Sequence, residues 1–576
     1  MKKRTLAMLL AGVMCVGLLA GCGGSKPSEA PSAAPSSEPS AAPADEPFEI
    51  TLNIASEPQS IDPALNSAVD GAIMINHMFE GLMKWKDSGV EANGSDGTAT
   101  NAELTYGQAE SYEKVENADG TVTYTFTLRD DAKWSDGKPV TAGDFVYSWQ
   151  RLVNPETAAD YNYMIDCVVN ANEIMAGEMD PSELAVSAPD DRTFVVTIAA
   201  ELPYFTELCA FPATFPVRQD IIEAKGDQWT FDTASYIGNG AYKMTEWEHN
   251  SKIVMEPNAE YYDVANLGPD KITFKLMDDQ NAMLSGFRSG ELDFIEEAPQ
   301  AELAGLIASG EMKIVDYIGT YYVCYQTQKA PFDDPRVRKA FTLAIDRTYI
   351  VNQVTQSGQV EASGFVPAGI YDAAGASGDD FRTTGGDYYA ETDADYEANC
   401  EEARRLLAEA GYPNGEGFPV VEYLYNTSEA HKAVGEALQF MWEEELGVTV
   451  TLNNQEWATF LQTRKNGDYS IARNGWIADY NDPMTFLDMW VTGGGNNDAQ
   501  YSNPKYDELI RAAKLSTDPA ERMDLMHQAE DLLMGEDGVL GPIYFYTQKY
   551  MVSDRIDGMF YTPLGYFFFL YTQPAA

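Results

Sequence analysis

The sequence predicts an α/β protein of two lobes, and three observations predict it. The first half is rich in strand patterns, the second alternates strands with amphipathic helices, and 576 residues are enough for two or three domains. A cleft between the lobes is a natural architecture for such a chain, although periodicity alone does not establish one.

The elements follow in chain order. Lys2, Lys3 and Arg4 precede an apolar run over 5–19 that ends at Leu19-Ala20-Gly21-Cys22, a pattern that reads as a secretory signal over 1–21 rather than a spanning helix. Residues 23–47 are almost wholly Gly, Ser, Pro, Ala and acidic residues. With no apolar stripe to bury, the segment 22–47 is expected to be a disordered tether, extending up to ~3.1 Å per residue. From about Phe48 the composition is globular. Strands are expected over 50–54, 122–128, 193–198, 252–256 and 272–276, with a turn-rich loop over 57–63. Thr141, three residues before Asp144, opens a helix through Phe145, Trp149 and Leu152. In the second half a helix over 401–410 stops at Gly411 and Pro413. A strand (420–425), a helix through Val434, Leu438 and Met441, a strand (448–452), a short helix (457–463) and a strand (469–473) follow. This alternation favours parallel pairing. Residues 372–390 and 492–497 read as Gly-rich loops.

Composition narrows the chemistry. A net charge of −52 argues against nucleic acid and against electrostatic docking on anionic lipid. No later stretch approaches the ~18 apolar residues of a spanning helix. Cys167, Cys209, Cys324 and Cys400 lack CxxC spacing. Cys167 and Cys209 could pair in an oxidising compartment, but no required disulfide is expected. HExxH, GxSxG and the P-loop pattern are absent, and the four histidines (77, 249, 431 and 527) are isolated. No catalysis, metal or cofactor is expected, although carboxylates are too numerous for a glycosidase-like pair to be excluded by counting.

Several blocks carry a resemblance. Leu19-Ala20-Gly21-Cys22 resembles a bacterial lipobox, which implies that Cys22 is lipidated. Residues 123–140 (TYTFTLRDDAKWSDGKPV), 144–155 (DFVYSWQRLVNP), 239–242 (NGAY), 331–338 (PFDDPRVR), 425–428 (YNTS) and 475–483 (GWIADYNDP) together resemble the oligopeptide-binding proteins of the family 5 extracellular solute-binding group. The resemblance spans about residue 50 to the C-terminus. It implies a periplasmic-binding-protein-like fold (type II, cluster C type) with a hinged ligand cleft. The first lobe would comprise 48–318 and 547–576, with a subdomain inserted over about 82–217. The second would comprise 319–546, with hinges near Ile318 and Tyr546. The expected partners are short peptides, an ABC permease and ATPase, and the outer face of a Gram-positive-type membrane through Cys22; the expected state is a monomer.

The resemblance also implies site roles. Asp479 would pair with the peptide α-amine, and Gly475, Trp476 and Ile477 would bond its backbone. Tyr161 and Trp457 would contact it, and Arg473 and His431 would meet its carboxylate. This chain departs from the family pattern at Cys324 and Ser67, where acidic residues are usual, at Thr355 for a lysine and at Phe211 for a histidine. The family's disulfide positions read Gly319 and Ile477. A less acidic side-chain environment is therefore expected, with a changed peptide preference. Alternatives are a signalling receptor for a pheromone or wall peptide, and a dipeptide, nickel or glutathione binder on the same fold. A secreted hydrolase is disfavoured by the missing motifs.

Overall fold

The structure is a computed structural model and describes residues 46–54, 56–389 and 393–576. The signal, Cys22 and the tether up to residue 45 lie outside the described residues. The described body, Pro47–Ala576, forms one compact unit.

Its spine is an eleven-stranded mixed sheet. At the centre two 13-residue strands, Lys313–Tyr325 and Leu540–Val552, run antiparallel. On one side they continue through Ile471–Ile477, Val421–Asn426 and Val450–Gln455; on the other through Phe294–Ile295, Glu49–Asn53, Lys271–Lys275, Lys252–Pro257 and Tyr242–Glu248, and the short strand Val360–Glu361 pairs off this path with Leu540–Val552. Gly319 to Tyr325 are all buried, the near-continuous apolar run of a strand covered on both faces. The register of the central pair breaks midway. Asp316 faces Thr547 and Thr320 faces Phe545, so Tyr317, Ile318 and Gly319 oppose Tyr546 alone. Gly319 has no alternative there, since a Cβ would collide with the Ile477 side chain and the Trp476 carbonyl.

The alternating segment 122–128 forms a strand with those bounds, paired between Ala109–Glu116 and Thr193–Ile198 in a separate four-stranded antiparallel sheet. Helix Ala142–Val153 packs on it, with Trp149 set 5.2 Å from Phe194. Asp144 accepts the Thr141 N–H at 2.8 Å, closing the helix start expected from the spacing. A further sheet pairs Thr100–Tyr106 with Phe560–Thr562, tying the C-terminal segment to the early chain.

The second half shows the expected strand–helix order, with Val421–Asn426 parallel to both Val450–Gln455 and Ile471–Ile477. Two readings differ. Residues 372–390 are not a plain loop: Tyr371 bridges Asp380, helix Phe381–Gly385 follows, and Asp380 caps it by accepting from Thr383 N. Its first two residues, Phe381 and Arg382, are buried, which a glycine count does not reveal. The polar strands Met83–Glu91 and Ala109–Glu116 were also not expected, because mostly exposed residues give them no apolar alternation. Cys167, Cys209, Cys324 and Cys400 are free thiols.

Candidate functional site

A cavity of about 360 Å³ lies beside the break in the central strands. Its walls come from chain segments on both sides of that break: Ser67, Asp70, Asp160, Tyr161, Phe211 and Glu296 from the earlier part, and residues 426–431, 457–498 and 544–549 in part from the later one. Asp479, Arg473, Gly475, Trp476, Ile477, Tyr161, Trp457 and His431 all line it. So do Thr355 and the other departures Ser67 and Phe211. Cys324 does not: it is fully buried behind the wall, with its Sγ 3.2 Å from the Tyr469 hydroxyl.

Asp479 follows the strand Ile471–Ile477 and is fixed from several directions. The next-door Ala478 N–H donates to Ile318 O at 2.8 Å, and the Trp476 indole donates to Thr485 O at 2.7 Å. Thr485 Oγ1 accepts from Asp479 N at 2.9 Å and lies 3.2 Å from Asp479 Oδ2. The Tyr161 hydroxyl donates to Oδ1 at 3.1 Å. Downstream, Arg522 clamps Asp482 with two bonds of 2.7 Å, and Tyr480 stacks on Tyr204 with centroids 4.2 Å apart. Asp479 is only 8 % exposed, yet among the described residues no cation stands within 4.0 Å of it. Burial therefore pushes its carboxyl well above the usual carboxylate range, against the bonds from Tyr161 and Thr485.

The strand Ile471–Ile477 presents an open edge. Its neighbour Val421–Asn426 pairs with it only at Ile471 and Ala472. On the other side Ala478 and Trp476 face Ile318 and Thr320 across the central strand. Strand alternation then turns the peptide groups of Gly475 and Ile477 to the open edge, where an extended chain can add once the Gly475 N–H exchanges its 2.8 Å bond to Asn474 Oδ1. Gly475 is required by close packing, since a Cβ would collide with the Tyr546 hydroxyl.

Arg473 also lines the cavity, and among the described residues it has no counter-ion in contact. Its guanidinium lies 5.6 Å from the Tyr321 ring and 5.7 Å from the Trp457 ring, and Nη2 is 3.0 Å from His431 Nε2. Burial, with Arg473 and Lys549 nearby, holds His431 well below the usual imidazole range. The ring is thus neutral, so Nε2 accepts from Arg473 and Nδ1–H points to the Tyr321 hydroxyl, 3.3 Å away. Both ring nitrogens of His431 are thus engaged by neighbours in the cavity wall.

The lining is not poor in acid. Asp70, Asp160, Asp278, Glu296, Glu297, Asp479 and Asp498 stand against Arg464, Lys465, Arg473 and Lys549. Asp498 pairs with Arg464 at 2.7 Å, and Asp160 pairs with Lys465. Cys324 and Ser67 supply no carboxylate at their positions, and the seven that line the cavity come from elsewhere in the chain. Asp70 and Glu296 escaped the sequence reading because nothing in their local pattern separates them from solvated acids; only the fold turns them inward. Among the described residues no group of three or more His, Cys, Asp or Glu could hold a metal ion, and no helix is long and apolar enough to cross a membrane.

Comparison with known proteins places this geometry. The family described as bacterial extracellular solute-binding proteins, family 5 Middle, matches residues 103–498. The periplasmic oligopeptide-binding protein OppA of Salmonella typhimurium is 37 % identical over 511 residues, covering 88 % of each chain. The crystal structure of Haemophilus influenzae OppA in complex with RPPGFSPFR has a TM-score of 0.83 at 34 % identity, covering 92 % of this chain and all of the other (100 %). The Escherichia coli murein tripeptide-binding protein MppA has a TM-score of 0.82 at 32 % identity, covering 92 % of this chain and 99 % of its own. An unliganded open form of MppA scores 0.56 at 33 % identity, over 90 % of this chain and 95 % of that one.

Proposed function

This chain belongs to the family 5 bacterial extracellular solute-binding proteins, and on that premise we propose that it captures short oligopeptides and delivers them to an ABC importer. It acts outside the cytoplasm and is not an enzyme. Peptides of variable sequence share an α-amine, a backbone and a carboxylate. The cavity offers one group for each: Asp479, the open edge at Gly475 and Ile477, and Arg473.

The observation that carries the reading is Asp479. A buried carboxyl with hydrogen bonds but no cation is costly when charged, and an incoming ammonium removes that cost. Trp457 and Tyr161 serve as walls, and His431 serves through Arg473. Support for a hinge comes from the broken register opposite Tyr546 and from the lower likeness to an open relative. The lobes are then 48–318 with 547–576 (the insert spanning about 82–217) and 319–546. Delivery from the outer membrane surface of a Gram-positive-type cell, through lipid on Cys22 and the tether 22–47, completes the proposal.

The test compares trialanine with its N-acetylated form by titration calorimetry. Asp479→Asn weakens the free-amine peptide by about 2–5 kcal/mol and hardly changes the acetylated one. Equal losses for both peptides refute the assignment of Asp479.

A further inference from the structure

Two carboxylates in the cavity are left over after the peptide reading has used Asp479. Asp70, near the start of helix Val69–Met78, is 7 % exposed, lines the cavity, and its Oδ2 has no hydrogen-bond partner. Glu296, just past the strand Phe294–Ile295, lines the same cavity; Oε2 accepts from Gln548 Nε2 at 3.2 Å, and Oε1 has no partner. Among the described residues neither is within 4.0 Å of a cationic side chain. The charged neighbours do not supply one. Lys549 lines the cavity and acts on Glu296 from beyond ion-pair distance. Glu297 is occupied by Gln280 at 2.5 Å, and Asp278 adds only negative charge.

We propose that Asp70 and Glu296 form a second cation-binding subsite, which receives the guanidinium or ammonium of a basic ligand side chain. The inference rests on the peptide reading above and deepens it by naming a ligand class. Asp70 is buried and Glu296 half-buried, and two such carboxylates sharing a cavity without a counter-ion in contact repel one another and are poorly solvated. A single cation between their unpartnered oxygens corrects both defects, and a planar guanidinium can donate to two acceptors at once. Burial pushes Asp70 up to about 6 and Glu296 up to about 8, with Asp70 and Glu297 contributing to the latter. A bound cation favours loss of those protons. Trp457 lines the same cavity beside Asp70, and its indole favours the charged form of that carboxyl.

The probes are trialanine and peptides in which arginine or citrulline replaces each alanine in turn. Citrulline keeps the shape and removes the charge. At one position the wild-type protein binds arginine about tenfold or more tighter than citrulline, the scale of one charge-assisted hydrogen bond. In Asp70→Asn and in Glu296→Gln that ratio falls towards one; being a ratio within one protein, it is independent of how much protein is folded. Equal binding of arginine and citrulline by wild type at every position overturns the subsite and leaves peptide capture standing. An unchanged ratio in both variants also overturns it. Failure of every peptide, trialanine included, to bind overturns the subsite together with the peptide reading.

Discussion

The Tyr161 hydroxyl stands 3.1 Å from Asp479 Oδ1, although 318 residues separate them in the chain. The bond favours the charged form of the carboxyl while burial favours the neutral one, and burial is the larger effect. Tyr161→Phe removes the donor and keeps the ring that packs 5.0 Å from Phe211. Free-amine peptides then bind about 1 kcal/mol more weakly, and N-acetylated ones are unaffected. Calorimetry with both peptides checks this, and a loss as large as that of Asp479→Asn counts against the arrangement.

Arg473 and His431 make a second prediction. Because the neutral imidazole accepts from the guanidinium, His431→Phe releases Arg473 without removing its charge. C-terminal amidation of a well-bound peptide costs about 1.5–3 kcal/mol in wild type, and little in Arg473→Met. His431→Phe gives an intermediate penalty. Amidation that costs the same in wild type and Arg473→Met places the ligand carboxylate elsewhere.

How much of this was legible in the sequence differs by element. The segment 122–128 alternates so cleanly that its strand appears with the expected bounds, and Thr141 with Asp144 marked a helix start that the hydrogen bonds bear out. The two central strands carry no such signature. Lys313–Tyr325 is polar at its start and wholly apolar at its end, a pattern set by lying first at a surface and then inside a sheet. The GWIADYNDP block drew attention to Asp479 through resemblance, and the structure adds a physical reason in the missing counter-ion. Asp70, Glu296 and the Asp160–Lys465 pair were illegible because 90 acidic residues hide any one of them. The contact between His431 and Arg473, 42 residues apart, was equally illegible, because no local pattern links the two.

Contacts between the early and late chain predict how closure is held. Lys514 bonds Asp166 at 2.5 Å and Asp488 at 3.3 Å, and the three are buried or nearly so. Lys514→Met leaves both acids without their cation, a loss of about 3–5 kcal/mol when a buried pair is broken. If that pair holds the two segments together, the variant in solution has a larger radius of gyration by X-ray scattering, and added peptide restores the wild-type value. An unchanged radius with wild-type affinity excludes Lys514 from closure.

The buried acids also fix how stability depends on pH. Burial raises Glu296 to about 8, Asp488 to about 7 and Asp70 to about 6, and raises Asp479 well above its usual range. Each is protonated in the folded protein at pH values where the unfolded chain, with carboxyls near 4, is not. The folded state then binds more protons, so stability rises as pH falls from about 8. The histidines act the other way. His77, lowered to about 4, and His431 stay neutral when folded, while in the unfolded chain they take up protons below about 6.5. The gain therefore becomes shallower below about 6.5. Thermal unfolding of the peptide-free protein at constant ionic strength should show a midpoint that climbs from pH 8 to 6.5. The climb flattens in Glu296→Gln, which removes the carboxyl raised to about 8. A midpoint that falls over the same interval would show that the paired surface charges, not these four acids, dominate the proton balance.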